Sequence, residues 1–152
     1  MWLRRAGYRT AFVGKYLNGY GEGDRELIPP GWEDWQAAVS ATRYLKTPYN
    51  RNGEVDKLEP GLYRTDADAR MTRDVIRRWA RSPRPFFIWV GFQAPHVGGP
   101  DDPDDPPDLE TPSPAPRYRD RFRRLPLPTP PGFNEPDAVS YTHLTLPTTP
   151  YV

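Results

Sequence analysis

The longest apolar run in the chain, Phe86 to Phe92, lies between Pro85 and Pro95 and stops at the polar pair Gln93 and His96. A short aromatic and β-branched run of this kind predicts a strand covered on both faces, as in the central sheet of an α/β domain. Ligands of open α/β sheets gather beyond the carboxyl ends of such strands, which is where Gln93-Ala94-Pro95-His96 falls. Pro95 fixes its own φ and biases Ala94 towards extended geometry, so His96 leaves the strand on stiff backbone. Upstream, Trp2-Leu3 reads as the last turn of a helix, with Arg4 and Arg5 near its C-terminal dipole and Gly7 placed to stop it. Tyr8 to Val13 then predicts a short strand. Thr65 to Trp79 has helical periodicity, with Met71, Val75, Ile76 and Trp79 as the buried stripe, Thr65 as cap and Asp68 as a capping-box acid.

Between these segments, Gly21 to Tyr63 reads as irregular, punctuated by Pro29-Pro30-Gly31, Thr47-Pro48, Asn52-Gly53 and Glu59-Pro60-Gly61. Asn50 to Glu54 suits a hairpin tip around Asn52-Gly53. Trp32 and Trp35 read as anchors that pin this long loop to the domain. Beyond His96 the pattern fails: Pro100 to Pro116 holds seven prolines and six acidic residues, from which no core can be built. Arg117 to Arg124 suits one basic helical turn, with Tyr118 and Phe122 four apart.

Composition narrows the function classes. A formal charge of +1 gives no electrostatic case for nucleic acid or an anionic membrane. No apolar stretch approaches the ~18 residues of a membrane span, and the first residues lack the apolar region of a signal peptide. The chain contains no cysteine, which excludes a disulfide framework and a cysteine zinc site within it. Arginines 70, 73, 77 and 78 read as a solvated helix face offset by Asp66, Asp68 and Asp74. Asp101, Asp102, Asp104 and Asp105 lack the central glycine and closing glutamate of an EF-hand loop, so a solvated loop is the better reading.

Two side chains remain as candidates for chemistry. Lys15 sits between a strand end and the glycine-studded segment Gly14 to Gly21, well placed to meet an anion, although the spacing is not that of a P-loop. His96 is a histidine at a strand end, the residue type that most readily exchanges a proton near neutral pH.

Taken in order, Ala6-Gly7-Tyr8-Arg9-Thr10, Gly14-Lys15-Tyr16-Leu17-Asn18-Gly19-Tyr20, Pro29-Pro30-Gly31-Trp32, Tyr63-Arg64-Thr65-Asp66, Pro85-Phe86-Phe87, Ala94-Pro95-His96, Arg117-Tyr118 and Phe133-Asn134-Glu135 resemble the type I sulfatases. The likeness is to the branch of N-acetylglucosamine-6-sulfatases and heparan-sulfate 6-O-endosulfatases. It implies an alkaline-phosphatase-like α/β fold with a central sheet flanked by helices, and hydrolysis of sulfate esters, of a sulfated carbohydrate above all. It also implies a divalent cation, calcium or magnesium, and a formylglycine made from cysteine or serine. By the same resemblance Lys15 contacts the sulfate group, and His96 holds sulfate and protonates the leaving oxygen. Leu17 stands where many arylsulfatases carry histidine, a departure that tells against an arylsulfatase-like preference. A secreted, periplasmic or lysosomal setting follows from the family.

The family's nucleophile motif, Cys or Ser followed by X-Pro-Ser-Arg, and its metal-binding aspartate and asparagine pairs have no match here. The chain therefore reads as an incomplete slice of a sulfatase domain over residues 1–138, with 97–138 a proline-rich loop region, and as incompetent alone. Residues 139–152 read as the translation of a transposase sequencing adapter and are set aside, His143 included. Two rival readings stand beside this one: a phosphoesterase of the same superfamily, and a proline-rich interaction protein offering residues 100 to 131 as polyproline ligands.

Overall fold

The computed structural model describes residues 2–39, 43–57, 61–98, 111–126 and 128–129. The aspartate-rich segment 101–105 and the tail 139–152 lie outside them. The chain divides into two compact units, residues 1–116 and 117–152. The first contains a five-stranded mixed sheet. In chain order its elements are α1 (Trp2–Arg5), β1 (Arg9–Gly14), β2 (Asp34–Ala38), β3 (Pro48–Arg51), β4 (Glu54–Lys57), α2 (Arg64–Trp79) and β5 (Phe86–Gly91). The strand order is β4-β3-β2-β1-β5, with β1 parallel to both β2 and β5 and the β3–β4 hairpin added antiparallel. The basic segment of the second unit is a 3₁₀ turn at Pro116–Tyr118 followed by further turns, where one helical turn was expected. Among the described residues no helix is long and apolar enough to cross a membrane.

Local chemistry accounts for most element boundaries. Gly7 ends α1 at φ 85°, with Tyr8 N–H bonded to Leu3 C=O and Gly7 N–H to Arg4 C=O, the paired bonds of a Schellman stop. Asn52 (φ 54°) and Gly53 (φ 98°) both take left-handed backbone between β3 and β4, as a two-residue primed turn requires.

The stretch read as irregular contains three of the five strands. Trp35 is a fully buried residue of β2, not a loop anchor. Its strand is held by parallel pairing with β1 and by its own N–H donating to the Asn52 side chain at 2.7 Å. The helix also begins differently from expectation. Its N-cap is Tyr63, no side chain caps it, and Thr65 lies inside the first turn. Asp68 is buried instead of capping, and Ile76 is exposed, because the inward stripe runs Arg64, Ala67, Asp68, Met71, Val75, Trp79.

Two apolar layers flank the sheet. On one face α2 packs Ala67, Met71, Val75 and Trp79 against Ala11, Val13, Tyr49, Phe86 and Ile88. On the other, the segment leaving β1 folds Tyr16, Tyr20 and Trp32 over Phe12, Trp35 and Val39. It is latched there by Trp35 Nε1–H and Asn50 Nδ2–H, both donating to the Tyr20 hydroxyl, which itself donates to Leu27 C=O. This cover reaches β5 at Phe87, on which Trp32 stacks with ring centroids 6.4 Å apart, and is incomplete there. Among the described residues the expectation of a strand buried on both faces is not met: β5 is the outermost strand beside β1 and its exposure alternates, with Phe86 and Ile88 turned to α2 and Trp89 55 % exposed. Trp2, Leu3, Thr10, Trp32, Phe87 and Trp89 line a groove of about 300 Å³ along this face.

Candidate functional site

The site is built where β1 and β5 end together. Their residues pair in parallel from Arg9 with Phe86 to Gly14 with Gly91, so both carboxyl ends finish on the same edge. The approach there is too close for any side chain. A Cβ on Gly14 would stand 2.1 Å from the Gly91 carbonyl oxygen, and one on Gly91 would stand 2.4 Å from that of Lys15. Gly14 in addition holds φ at 101°, where L-residues are strained. The ladder continues one step beyond the strand, with Lys15 N–H donating to Gly91 C=O at 2.7 Å.

Lys15 is thereby fixed by its backbone at the mouth of the sheet. Its half-buried side chain has no hydrogen-bond or ion-pair partner among the described residues. His96 follows Gly91 by five positions, after a cis Ala94–Pro95 bond, and is exposed. Its Nδ1 lies 2.6 Å from Val97 C=O. A carbonyl can only accept, so Nδ1 carries the hydrogen and Nε2 is the nitrogen left to meet a ligand. The structure thus brings the strands bearing the two candidates side by side on one sheet edge, with no direct bond between the two side chains. The groove along β5 is not part of this arrangement, since it lies towards the amino half of β1.

Beneath the edge lies a buried polar group that the sequence reading missed. Arg64 and Asp68, one turn apart on α2, are fully buried, with Arg64 Nε 4.0 Å from Asp68 Oδ2. Tyr49 donates its hydroxyl to Asp68 Oδ1 at 2.6 Å. Arg64 Nη1 also donates to Gln93 Oε1 at 3.3 Å, and Gln93 is only 2 % exposed. Burial pushes the Asp68 carboxyl up to about 6, against the opposing pull of the Tyr49 hydrogen bond and the Arg64 charge. Burial beside Asp68 likewise raises the Tyr49 hydroxyl, which stays protonated and a donor. A signal for this group existed in the helical period, since Arg64 and Asp68 share the stripe of Met71 and Val75. Gln93 followed an apolar run directly. Tyr44, which meets His96 from a loop 52 positions away, gave none.

Among the described residues no group of three or more His, Asp or Glu side chains is placed to hold a metal ion. With no cysteine in the chain either, these residues by themselves do not fit a cation or a cysteine-derived formylglycine.

Comparison with known proteins agrees with the order of motifs. Over 108 residues the chain is 38 % identical to a putative extracellular sulfatase Sulf-1 homolog of Caenorhabditis elegans, covering 68 % of this chain and 14 % of that protein. Over 134 residues it is 30 % identical to the N-acetylglucosamine-6-sulfatase of Homo sapiens, covering 84 % of this chain and 22 % of that protein. An arylsulfatase of Volvox carteri is 32 % identical over 99 residues, covering 64 % and 15 %. The chain spans about a fifth or less of the length of these relatives. The family model described as Sulfatase matches residues 1–124, which takes in most of the segment considered above as a polyproline ligand, and the chain belongs to the sulfatase family.

Proposed function

We propose that this chain is part of a catalytic unit that hydrolyses sulfate esters of sugars, and that Lys15 and His96 act on the sulfate group. The observation that carries the reading is the glycine-tight pairing of β1 and β5, whose carboxyl ends lead directly into half-buried Lys15 and, five residues past Gly91, exposed His96. A sulfate ester is an anion whose bridging oxygen gains charge as its bond to sulfur breaks. A fixed ammonium stabilises the charge on the sulfate oxygens. An Nε2–H donor can give its proton to the departing sugar oxygen, and Nδ1–H, held by Val97 C=O, keeps the ring turned for that transfer.

Calcium or magnesium and the formylglycine are proposed to be held outside the described residues of this chain; they would supply charge neutralisation and the attacking oxygen. The relatives named extracellular sulfatases support an extracytoplasmic setting. The N-acetylglucosamine-6-sulfatases support a 6-sulfated amino sugar as the first substrate to try.

The test is made in the catalytic polypeptide that carries this segment together with a nucleophile-bearing region. His96→Ala is expected to lower kcat far more on a sugar 6-sulfate, whose leaving group is basic, than on an activated aryl sulfate. Lys15→Ala is expected to lower both by ~10²-fold, the scale of losing one transition-state donor. Near-parental activity of both variants on the sugar sulfate would remove these residues from the site. Faster turnover of the matching phosphate monoester than of the sulfate would replace the sulfatase reading with a phosphoesterase.

A further inference from the structure

Resting on the reading of His96 given above, we infer that Tyr44, Gln93 and Arg64 are positioning residues that lock His96 in place through a closed ring of hydrogen bonds. The His96 N–H donates to Gln93 C=O at 2.8 Å, and the Tyr44 hydroxyl donates to His96 C=O. Arg64 closes the ring twice, its backbone N–H donating to Tyr44 C=O at 2.9 Å and its Nη1 to Gln93 Oε1.

Both backbone groups of His96 are thus tied, one to the stub of β5 and the other to a buried loop residue hung on the first turn of α2. The imidazole itself is exposed and, among the described residues, bonded only to its neighbour Val97, so the ring of bonds beneath it is what sets its location. The anchors are themselves stiff. The Tyr44 ring is buried and stacks on Tyr63 at 5.5 Å and 13°. Gln93 is buried too, and its amide is oriented by chemistry, because Arg64 can only donate and therefore takes the oxygen. A residue displaced by about 1 Å can lose ~10²-fold in rate, so a clamp of this kind acts on turnover more than on binding.

The assay is a double-mutant cycle in the same catalytic polypeptide, with thermal melts as the control for folding. Tyr44→Phe keeps the stacked ring and removes only the bond to His96. It is expected to lower kcat on the sugar 6-sulfate by ~10-fold, to leave KM within about 2-fold, and to spare the activated aryl sulfate. In a His96→Ala background the same change should cost less than about 2-fold, because there is nothing left to position. Gln93→Leu should reproduce the selective loss. Gln93→Glu, which still offers Arg64 an oxygen, should recover most of it, and if Gln93→Leu fails to fold, Tyr44→Phe and Gln93→Glu decide.

An impaired His96→Ala enzyme in which Tyr44→Phe costs nothing, or costs as much without His96 as with it, would overturn the inference while leaving the functional reading standing. A fully active His96→Ala enzyme would overturn both.

Discussion

β1 and β5 are neighbours in register and both end in a glycine, yet their fates differ. Every residue of β1 after Arg9 is buried, whereas β5 shows its second face to solvent. The paired residues Phe12 and Trp89 give the sharpest contrast: they lie on the same face with ring centroids 6.1 Å apart, one 1 % exposed and the other 55 %. Composition would favour the opposite outcome, since β1 carries Arg9 and Thr10 and β5 has no polar side chain. What separates them is the segment that leaves β1, which turns back to bury Phe12 and Trp35 but meets β5 only through the Trp32–Phe87 stack and leaves Trp89 outside. An apolar run therefore predicts a strand but not its cover, because cover is supplied by residues distant in sequence.

The contrast can be attacked where the two strands meet. Gly14→Ala and Gly91→Ala each drive a methyl group into backbone that cannot yield, and each should cost about 3 kcal/mol or more, read as a fall in the urea midpoint of the catalytic polypeptide. An unchanged midpoint for either would mean that the strands do not pair in this register.

Comparable in size, Phe12→Ala should cost about 3–5 kcal/mol, against less than about 1 kcal/mol for Trp89→Ala. Equal losses would show that the outer face of β5 is covered in solution.

A smaller effect separates the buried polar group from both strands. The Asp68 carboxyl is raised from 3.8 to about 6, chiefly by burial, so the folded state binds its proton more tightly than the unfolded state does. Its contribution to stability is then fully present below about pH 4 and lost as the pH rises through 6. The parent should lose ~2 kcal/mol relative to Asp68→Asn across that window, with Arg64 and the protonated Tyr49 as its facing partners. Melting curves of both proteins from pH 4 to 7 measure it, and a constant difference would contradict the assignment. Smaller than the Asp68 effect, Gly53→Ala at the hairpin should cost ~1 kcal/mol through its positive φ, with no effect on the β1–β5 edge.

The sequence was legible wherever structure is local. Tyr8 to Val13 announced β1 by its residue types, Asn52-Gly53 announced a turn that only left-handed backbone can make, and the 3.6 period announced α2. β2 was not legible, since Asp34-Trp35-Gln36-Ala37-Ala38 has no β-branched residue and owes its extension to pairing with β1 and to Asn52. Asp68 misled for a related reason: three residues after a threonine is the spacing of a capping box, but the partner that fixes it, Tyr49, is 19 positions away. Lys15 and His96 were each marked by their place at a strand end. That their strands are adjacent is a fact of topology, and Tyr44 and Gln93 acquire meaning only once those strands are side by side.

That adjacency sets an order of events in time. Arg9 and Phe86 are partners 77 positions apart, with three strands and the long helix between them. At ~5–20 residues added per second, β1 leaves the ribosome several seconds before β5 exists to dock beside it. During that interval Gly14 and Lys15 have one neighbouring strand instead of two, and the edge meant for β5 is open to any extended segment that passes. Contacts of such long range are slow to close. The ends of β1 and β5, at Gly14 and Gly91, thus meet only when a late strand settles against an early one, so whatever guards the waiting edge of β1 during synthesis also decides how much of the protein pairs these two strands.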